Sequence, residues 1–209
     1  MKAIIFGGGR IEDYSYIDTN GFKDTLIISA DGGYKHTEKL KLTPDIVIGD
    51  NDSLDIEYPE GIRSIKCPKE KDYTDTKRSV DYAIENGCDE IDIYGGLGGR
   101  LDHEFSNYGL LAYGLQKNVK IKLIDKYNEI WMEDKPFVLE KGKYKYVSFF
   151  PYGGSVEGFS IKGLKYEVED ILIDIYSTIT SSNEFKDSPA EISFENGMVI
   201  VMLCDDEDR

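Results

Sequence analysis

Short apolar runs alternate with helix-period segments through the first 125 or so residues, and this alternation restricts the possible folds more than any composition value does. Runs at residues 3–6, 26–29, 46–48, 64–67, 90–94 and 120–124 have strand length. Between them, Thr76, Val80, Ala83 and Ile84 recur at helical spacing and stop at Asn86-Gly87, a pair that ends helices. Phe105, Tyr108, Leu111, Ala112 and Leu115 make a second apolar stripe. Both stripes read as packing faces. Strands separated by helices in this way predict a mostly parallel sheet with crossover connections.

After Tyr127 the pattern changes to closely spaced strands at 129–132, 144–150, 155–161, 171–176, 191–194 and 198–203. Turn signals at Tyr152-Gly153-Gly154, Lys162-Gly163 and Asn196-Gly197 punctuate them, which predicts a small antiparallel sandwich or barrel. The expected organisation is therefore an α/β domain over residues 1–127, a mostly parallel sheet, followed by a small antiparallel sandwich or barrel over 128–209. The acidic end, Asp205-Asp206-Glu207-Asp208, reads as a solvated tail.

Charge narrows the partners. Forty acidic residues against 25 basic give a formal charge of −15, a field that repels phosphate backbones and anionic lipid. Nucleic-acid and membrane-surface binding are thereby disfavoured, and a small anionic substrate requires local cations or a metal to reverse the sign at its site. The opening Met1-Lys2-Ala3-Ile4-Ile5-Phe6 is too short for a signal segment, and no apolar run reaches membrane-span length. Cys67, Cys88 and Cys204 form no CxxC pair and fit a reducing cytoplasm. With only His36 and His103 available, a histidine-rich zinc site is disfavoured; a metal would be hard and oxygen-bound.

Three clusters sit where strands give way to the next element. Asp50 and Asp52, in Gly49-Asp50-Asn51-Asp52-Ser53, put two carboxylates on one turn just past the run 46–48. They could offer oxygens to Mg²⁺ or simply form an Asx turn, and both readings stand at this level. Lys69-Glu70-Lys71-Asp72-Tyr73-Thr74-Asp75 mixes phosphate-binding cations with metal-binding anions, and Asp75 falls in a helix first turn that favours a carboxylate in any case. Gly95-Gly96-Leu97-Gly98-Gly99-Arg100-Leu101-Asp102 offers backbone N–H groups, a helix N-terminus and the planar fork of Arg100 to an anion. Turns at the carboxyl ends of strands in one α/β sheet share a crevice, so these clusters predict a magnesium-nucleotide site. Gly7-Gly8-Gly9-Arg10 and Ala30-Asp31-Gly32-Gly33 could extend it.

Two common phosphate motifs are excluded by spacing. A dinucleotide fingerprint needs glycine at 12 or 101, where the chain has Glu12 and Leu101. The single Gly-Lys pair, Gly142-Lys143, has Phe137 where a P-loop begins.

The order Ala30-Asp31-Gly32-Gly33, Pro44-Asp45, Gly49-Asp50-Asn51-Asp52-Ser53, Lys71-Asp72-Tyr73-Thr74-Asp75 and Gly95-Gly96-Leu97-Gly98-Gly99-Arg100-Leu101-Asp102-His103 resembles that of bacterial-type thiamine pyrophosphokinases. Lys162-Gly163-Leu164-Lys165-Tyr166 and Ser182-Asn183-Glu184 match weaker motifs of that family's second domain. The resemblance implies an α/β ATP-binding catalytic domain joined to a β-sandwich thiamine-binding and dimerisation domain. It also implies a cytoplasmic homodimer and Mg²⁺-dependent transfer of a diphosphoryl group from ATP to the thiamine hydroxyl, releasing AMP. By the same resemblance Asp50, Asp52 and Asp75 bind metal, with Asp75, Asp52 and Arg100 catalytic and Asp75 accepting the hydroxyl proton. Asp31, Gly32, Lys71, Asp72, Gly98, Gly99, Arg100 and Asp102 fall at nucleotide-binding positions, and Ser182 and Asn183 at the vitamin.

Three departures mark this chain: Asn51 replaces a usually large apolar residue, Thr180 stands where many members have glycine, and residues 198–203 contain no tryptophan. Since diphosphoryl machinery does not itself name the acceptor, a pyrophosphokinase for another alcohol such as a hydroxymethylpterin is the nearest alternative. A non-catalytic nucleotide- or thiamine-binding regulator is a further one.

Overall fold

Six apolar runs of the first half become β1 (Lys2–Phe6), β2 (Leu26–Ala30), β3 (Ile46–Gly49), β4 (Arg63–Lys66), β5 (Glu90–Tyr94) and β6 (Lys120–Ile124). The structure, a computed structural model, describes residues 1–50, 61–68, 72–186 and 189–206. It divides into two units, Met1–Lys126 and Tyr127–Arg209. All strand pairs in the first unit are parallel, in the order β4-β3-β2-β1-β5-β6. Ile4, Ile5, Phe6, Ile28, Ile48, Ile91 and Ile93 are sealed from solvent, as expected of strands covered on both faces.

Among the described residues three α-helices serve this sheet: α1 (Tyr34–Lys39), α2 (Asp75–Glu85) and α3 (Leu101–Gln116). Thr74 starts α2, its hydroxyl accepting from the Lys77 amide at 3.1 Å. Val80 and Ala83 carry the buried face, and Gly87 leaves the helix at φ +81. The buried face of α3 is Asn107, Leu110, Leu111 and Gly114, which differs from the expected stripe. Phe105 is 75% exposed. At about 100° per residue it stands roughly 240° around the helix from Leu111, so both cannot face the sheet.

The second unit is built from antiparallel pairings. Its strands are β7 (Asn128–Glu133), β8 (Phe137–Leu139), β9 (Tyr146–Lys162), β10 (Val168–Ile173), β11 (Asn183–Glu184), β12 (Ala190–Ser193) and β13 (Asn196–Cys204). The two strands expected at 144–150 and 155–161 are one 17-residue strand, β9. Its leading half pairs with β11 and most of β13, its trailing half with β10 and β12. Gly153 at φ +75 lets the strand bend without reversing, so Tyr152-Gly153-Gly154 encodes a bend where a turn is expected. Asn196-Gly197 likewise opens β13 at a register shift instead of forming a free hairpin turn.

Bending β9 brings its two halves over one core. Phe149 and Phe159 meet with ring centroids 5.6 Å apart, and Phe159 stacks on Phe194 at 6.4 Å. Trp131 lies in the same cluster, its indole N–H donating to Glu133 at 2.9 Å. Thr180 is buried and its hydroxyl donates to the Phe149 carbonyl at 2.5 Å, while its own carbonyl accepts from the Phe149 amide at 3.0 Å. The Thr180 side chain, at the position where the resemblance leads one to expect glycine, is thus hydrogen-bonded within the core.

Candidate active site

The sheet changes direction between β1 and β5. From β1 the chain passes to β2, from β5 it passes to β6, and these neighbours lie on opposite sides. Connections that diverge leave a crevice at the strands' carboxyl ends. The glycine turns after β1 and β5 meet there, with the Gly7 amide on the Tyr94 carbonyl at 2.7 Å and the Gly9 amide on the Gly95 carbonyl at 3.0 Å. A Cβ on Gly9 would stand 2.4 Å from that oxygen, so contact between the turns excludes any side chain.

A cleft of about 540 Å³ opens at this point. Gly8, Gly9 and Arg10 reach it from β1, Asp31, Gly32 and Lys35 from the region after β2, Thr74, Asp75 and Thr76 from the start of α2, and Gly95, Gly96, Leu97, Gly99 and Arg100 from the β5–α3 connection. The run of glycines has several uses. Gly95 and Gly96 are held by packing, against Gly7 and against Ile93 and Leu123, whereas Gly98 has φ +72 and open space beside it. Gly99, which lines the cleft, also has open space beside it.

Of the expected site residues, the structure gathers Asp31, Gly32, Asp75, Gly99 and Arg100 around the cleft. Asp50 follows Gly49 at the end of β3, and a Cβ on Gly49 would lie 2.8 Å from the Asp31 Cβ, so Asp31 packs on the residue preceding Asp50. Asp72 is exposed two residues before the Thr74 cap. Gly98 donates its amide to Glu104 Oε2 at 3.2 Å. Asp102 accepts from Arg100 Nε at 3.1 Å and Nη2 at 2.5 Å, and these bonds hold its carboxyl below the ordinary range while raising Arg100. Asp52 and Lys71 lie outside the described residues.

Ser182 and Asn183 belong to the second unit. Ser182 is exposed at φ +55, its amide donating to Ser148 Oγ at 2.9 Å. Asn183 is buried, and its side chain clamps Tyr166: Nδ2 donates to the Tyr166 carbonyl at 2.8 Å and Oδ1 accepts from the Tyr166 amide at 3.0 Å.

Several lining residues escaped the sequence reading. His103, Glu104 and Asn107 follow Arg100 at intervals of three and four, one face of α3, and that spacing was available as a signal. Lys35 carried no such mark. Its ammonium donates to the Gly8 carbonyl at 2.8 Å.

The donors suit a hard cation. Asp31 has φ +44, and its Oδ1 is buried with no hydrogen-bond partner among the described residues. A buried acceptor left this way costs about 1–3 kcal/mol, which a cation or a ligand donor in the cleft offsets. Among the described residues no cluster of three or more His, Cys, Asp or Glu side chains is gathered for a metal. Magnesium needs none, since it commonly takes one or two carboxylates and completes its shell with water and substrate phosphates.

Glycine turns at a switch point, flanked by Arg100, Lys35 and the carboxylates of Asp31, Asp75 and Glu104, give this α/β unit groups suited to a phosphate-bearing ligand. Residues 22–123 match the family described as thiamin pyrophosphokinase, catalytic domain, and residues 137–199 match thiamin pyrophosphokinase, vitamin B1 binding domain. The thiamine pyrophosphokinase of Bacillus subtilis (strain 168) is 34% identical over 198 residues, covering 90% of this chain and 92% of its own. A crystal structure of the Bacillus subtilis protein aligns with a TM-score of 0.89 at 31% identity, over 99% of this chain and 100% of that one. Thiamin pyrophosphokinase from Geobacillus thermodenitrificans gives 0.86 at 27% identity, over 100% and 99%. The chain belongs to the thiamine pyrophosphokinase family.

Proposed function

We propose that this chain transfers the diphosphate group of ATP to the hydroxyl of thiamine, forming thiamine diphosphate and AMP. The observation that carries the reading is the match of both family descriptions in one chain, with the cleft of the first unit supplying groups suited to phosphates. The second match, to a vitamin B1 binding domain, favours thiamine over a pterin alcohol as acceptor.

In this reading the first unit, as the ATP-binding catalytic domain, carries the chemistry. Arg100 and Lys35 offset phosphate charge, and the amide of Gly99 meets the anion without side-chain obstruction, while Gly98, its own amide on Glu104, shapes the turn. Asp102 orients Arg100 through its paired hydrogen bonds. Asp31, Gly32, Lys71 and Asp72 complete the nucleotide site. Asp75, at the mouth of α2, accepts the proton leaving the thiamine hydroxyl. Asp50, Asp52 and Asp75 would hold Mg²⁺, which when bound would neutralise charge on the phosphate oxygens. The second unit, as a small antiparallel β-sandwich, contributes Ser182 and Asn183 to thiamine and forms the contact surface of a homodimer. No helix among the described residues is long and apolar enough to cross a membrane, and a cytoplasmic site fits Cys67, Cys88 and Cys204, none of which forms a disulfide.

The test is incubation of the purified protein with ATP and Mg²⁺, with and without thiamine. Thiamine-dependent AMP formation that stops on chelation by EDTA and resumes on adding Mg²⁺ supports the reading. AMP released with a pterin alcohol and not with thiamine contradicts it.

A further inference from the structure

Two carbonyl oxygens stand at the edge of the proposed phosphate site, those of Gly8 and Gly9, and bare carbonyls repel an anion. Both are covered from α1. Lys35 takes the Gly8 oxygen, and His36 Nε2 lies 2.7 Å from the Gly9 oxygen. A carbonyl accepts only, so Nε2 carries the proton. On the far side of the ring the Tyr14 hydroxyl lies 2.6 Å from Nδ1, and its donation fixes that tautomer in a neutral imidazole.

His36 is 1% exposed, yet it is more than filling. The Gly9 peptide it holds by the carbonyl is held by the amide to Gly95, and the Gly95 backbone passes so close that a Cβ there would lie 3.5 Å from His36 Nε2. One side chain therefore bonds to the first glycine turn and stands beside the second where they cross. Burial and the Lys35 and Lys39 charges hold the imidazole down to about 4, although the Gly9 hydrogen bond acts to raise it, so the ring stays neutral through the working range.

We propose that His36 is a positioning residue for the ATP phosphates: locked as its Nε2-protonated tautomer by Tyr14, it keeps the Gly9 carbonyl engaged and sets the turn at residues 7–9 against Gly95. This rests on the cleft being the ATP site. It predicts a selective effect on nucleotide, which a merely structural histidine does not give.

The experiment measures ATP affinity by calorimetry, together with steady-state constants for ATP and thiamine. In His36→Ala the Kd and KM for ATP rise about tenfold or more, the loss expected of one buried hydrogen bond and its disordered turn, while KM for thiamine stays within about twofold. His36→Gln, whose amide can donate to Gly9, recovers ATP affinity to within about threefold. Tyr14→Phe, which removes the tautomer lock, weakens ATP by about threefold. Unchanged ATP affinity in folded His36→Ala overturns the inference, as does a parallel rise in both substrate constants. If His36→Ala does not fold, unchanged ATP affinity in Tyr14→Phe overturns it. Wild-type protein that binds ATP in the manner described but makes no thiamine-dependent AMP contradicts the proposed activity while leaving the role of His36 standing.

Discussion

The Gly9 amide donates to the Gly95 carbonyl at 3.0 Å, tying the turn after β1 to the turn after β5 where the sheet's connections diverge. This one bond joins segments 86 residues apart in sequence and sets the width of the cleft's floor. A methyl group on Gly9 has no room, standing 2.4 Å from the oxygen it must pass. Gly9→Ala is expected to lower stability by about 1–3 kcal/mol through the forced backbone shift. It also lowers kcat/KM for ATP by at least about tenfold, since a small displacement of a phosphate cradle is costly. Urea unfolding and steady-state kinetics measure both, and wild-type values in each would show that the turns do not depend on their contact.

Asp75→Asn tests the proposed base while leaving the cap of α2 in place. The Thr74 hydroxyl, not the Asp75 carboxylate, caps the Lys77 amide, so α2 keeps its start when Asp75 is neutralised. Asp75→Asn should reduce kcat by at least about 100-fold, the scale of general-base or metal participation. Its melting temperature should stay within a few degrees of wild type, because a first-turn carboxylate contributes only about 0.3–1 kcal/mol through the helix dipole. Near-normal turnover would remove Asp75 from the mechanism.

Asn183 is expected to matter first for stability. Its amide holds both backbone groups of Tyr166 from a buried position, and Asn183→Ala leaves them unpaired. A loss of about 2–3 kcal/mol follows from two orphaned backbone groups, read in urea unfolding of the full chain. If thiamine also relies on Asn183, KM for thiamine rises in the folded fraction while KM for ATP does not.

Legibility in the sequence followed the range of the forces involved. Strands β1, β2 and β5 are written as local apolar runs, and Gly8, Gly9, Asp31, Gly32, Gly95 and Gly96 of the cleft fall at their ends, where the usual rule for α/β sheets puts them. Phe105 was misread because α3 has apolar residues on more than one face, and only the sheet decides which face it covers. Gly153 was misread because the same φ permits a bend or a reversal, and long-range pairing of β9 with β13 selects the bend. Lys35 and His36 left no trace, since their role depends on carbonyls 27 residues away that come near only when β1 and β2 pair.

Acid exposes the same histidine thermodynamically. His36 is held at about 4 in the folded protein against an ordinary 6.5, so as pH falls the unfolded chain takes up the proton first. Stability from this residue is full above about pH 6.5, declines between 6.5 and 4, and levels off below that. The total is about 3 kcal/mol at 1.36 kcal/mol per unit. Urea unfolding across pH 4–7 should show this decline in wild type and a flatter profile in His36→Gln. Identical profiles would mean that the imidazole titrates as it does in the unfolded chain.

The most direct test of the account is to resolve all products of a single reaction containing the purified protein, ATP, Mg²⁺ and thiamine. Diphosphoryl transfer predicts AMP and thiamine diphosphate in equal amounts, with no AMP formed when thiamine is left out. ADP accompanied by thiamine monophosphate would contradict it, as would AMP release that does not depend on thiamine.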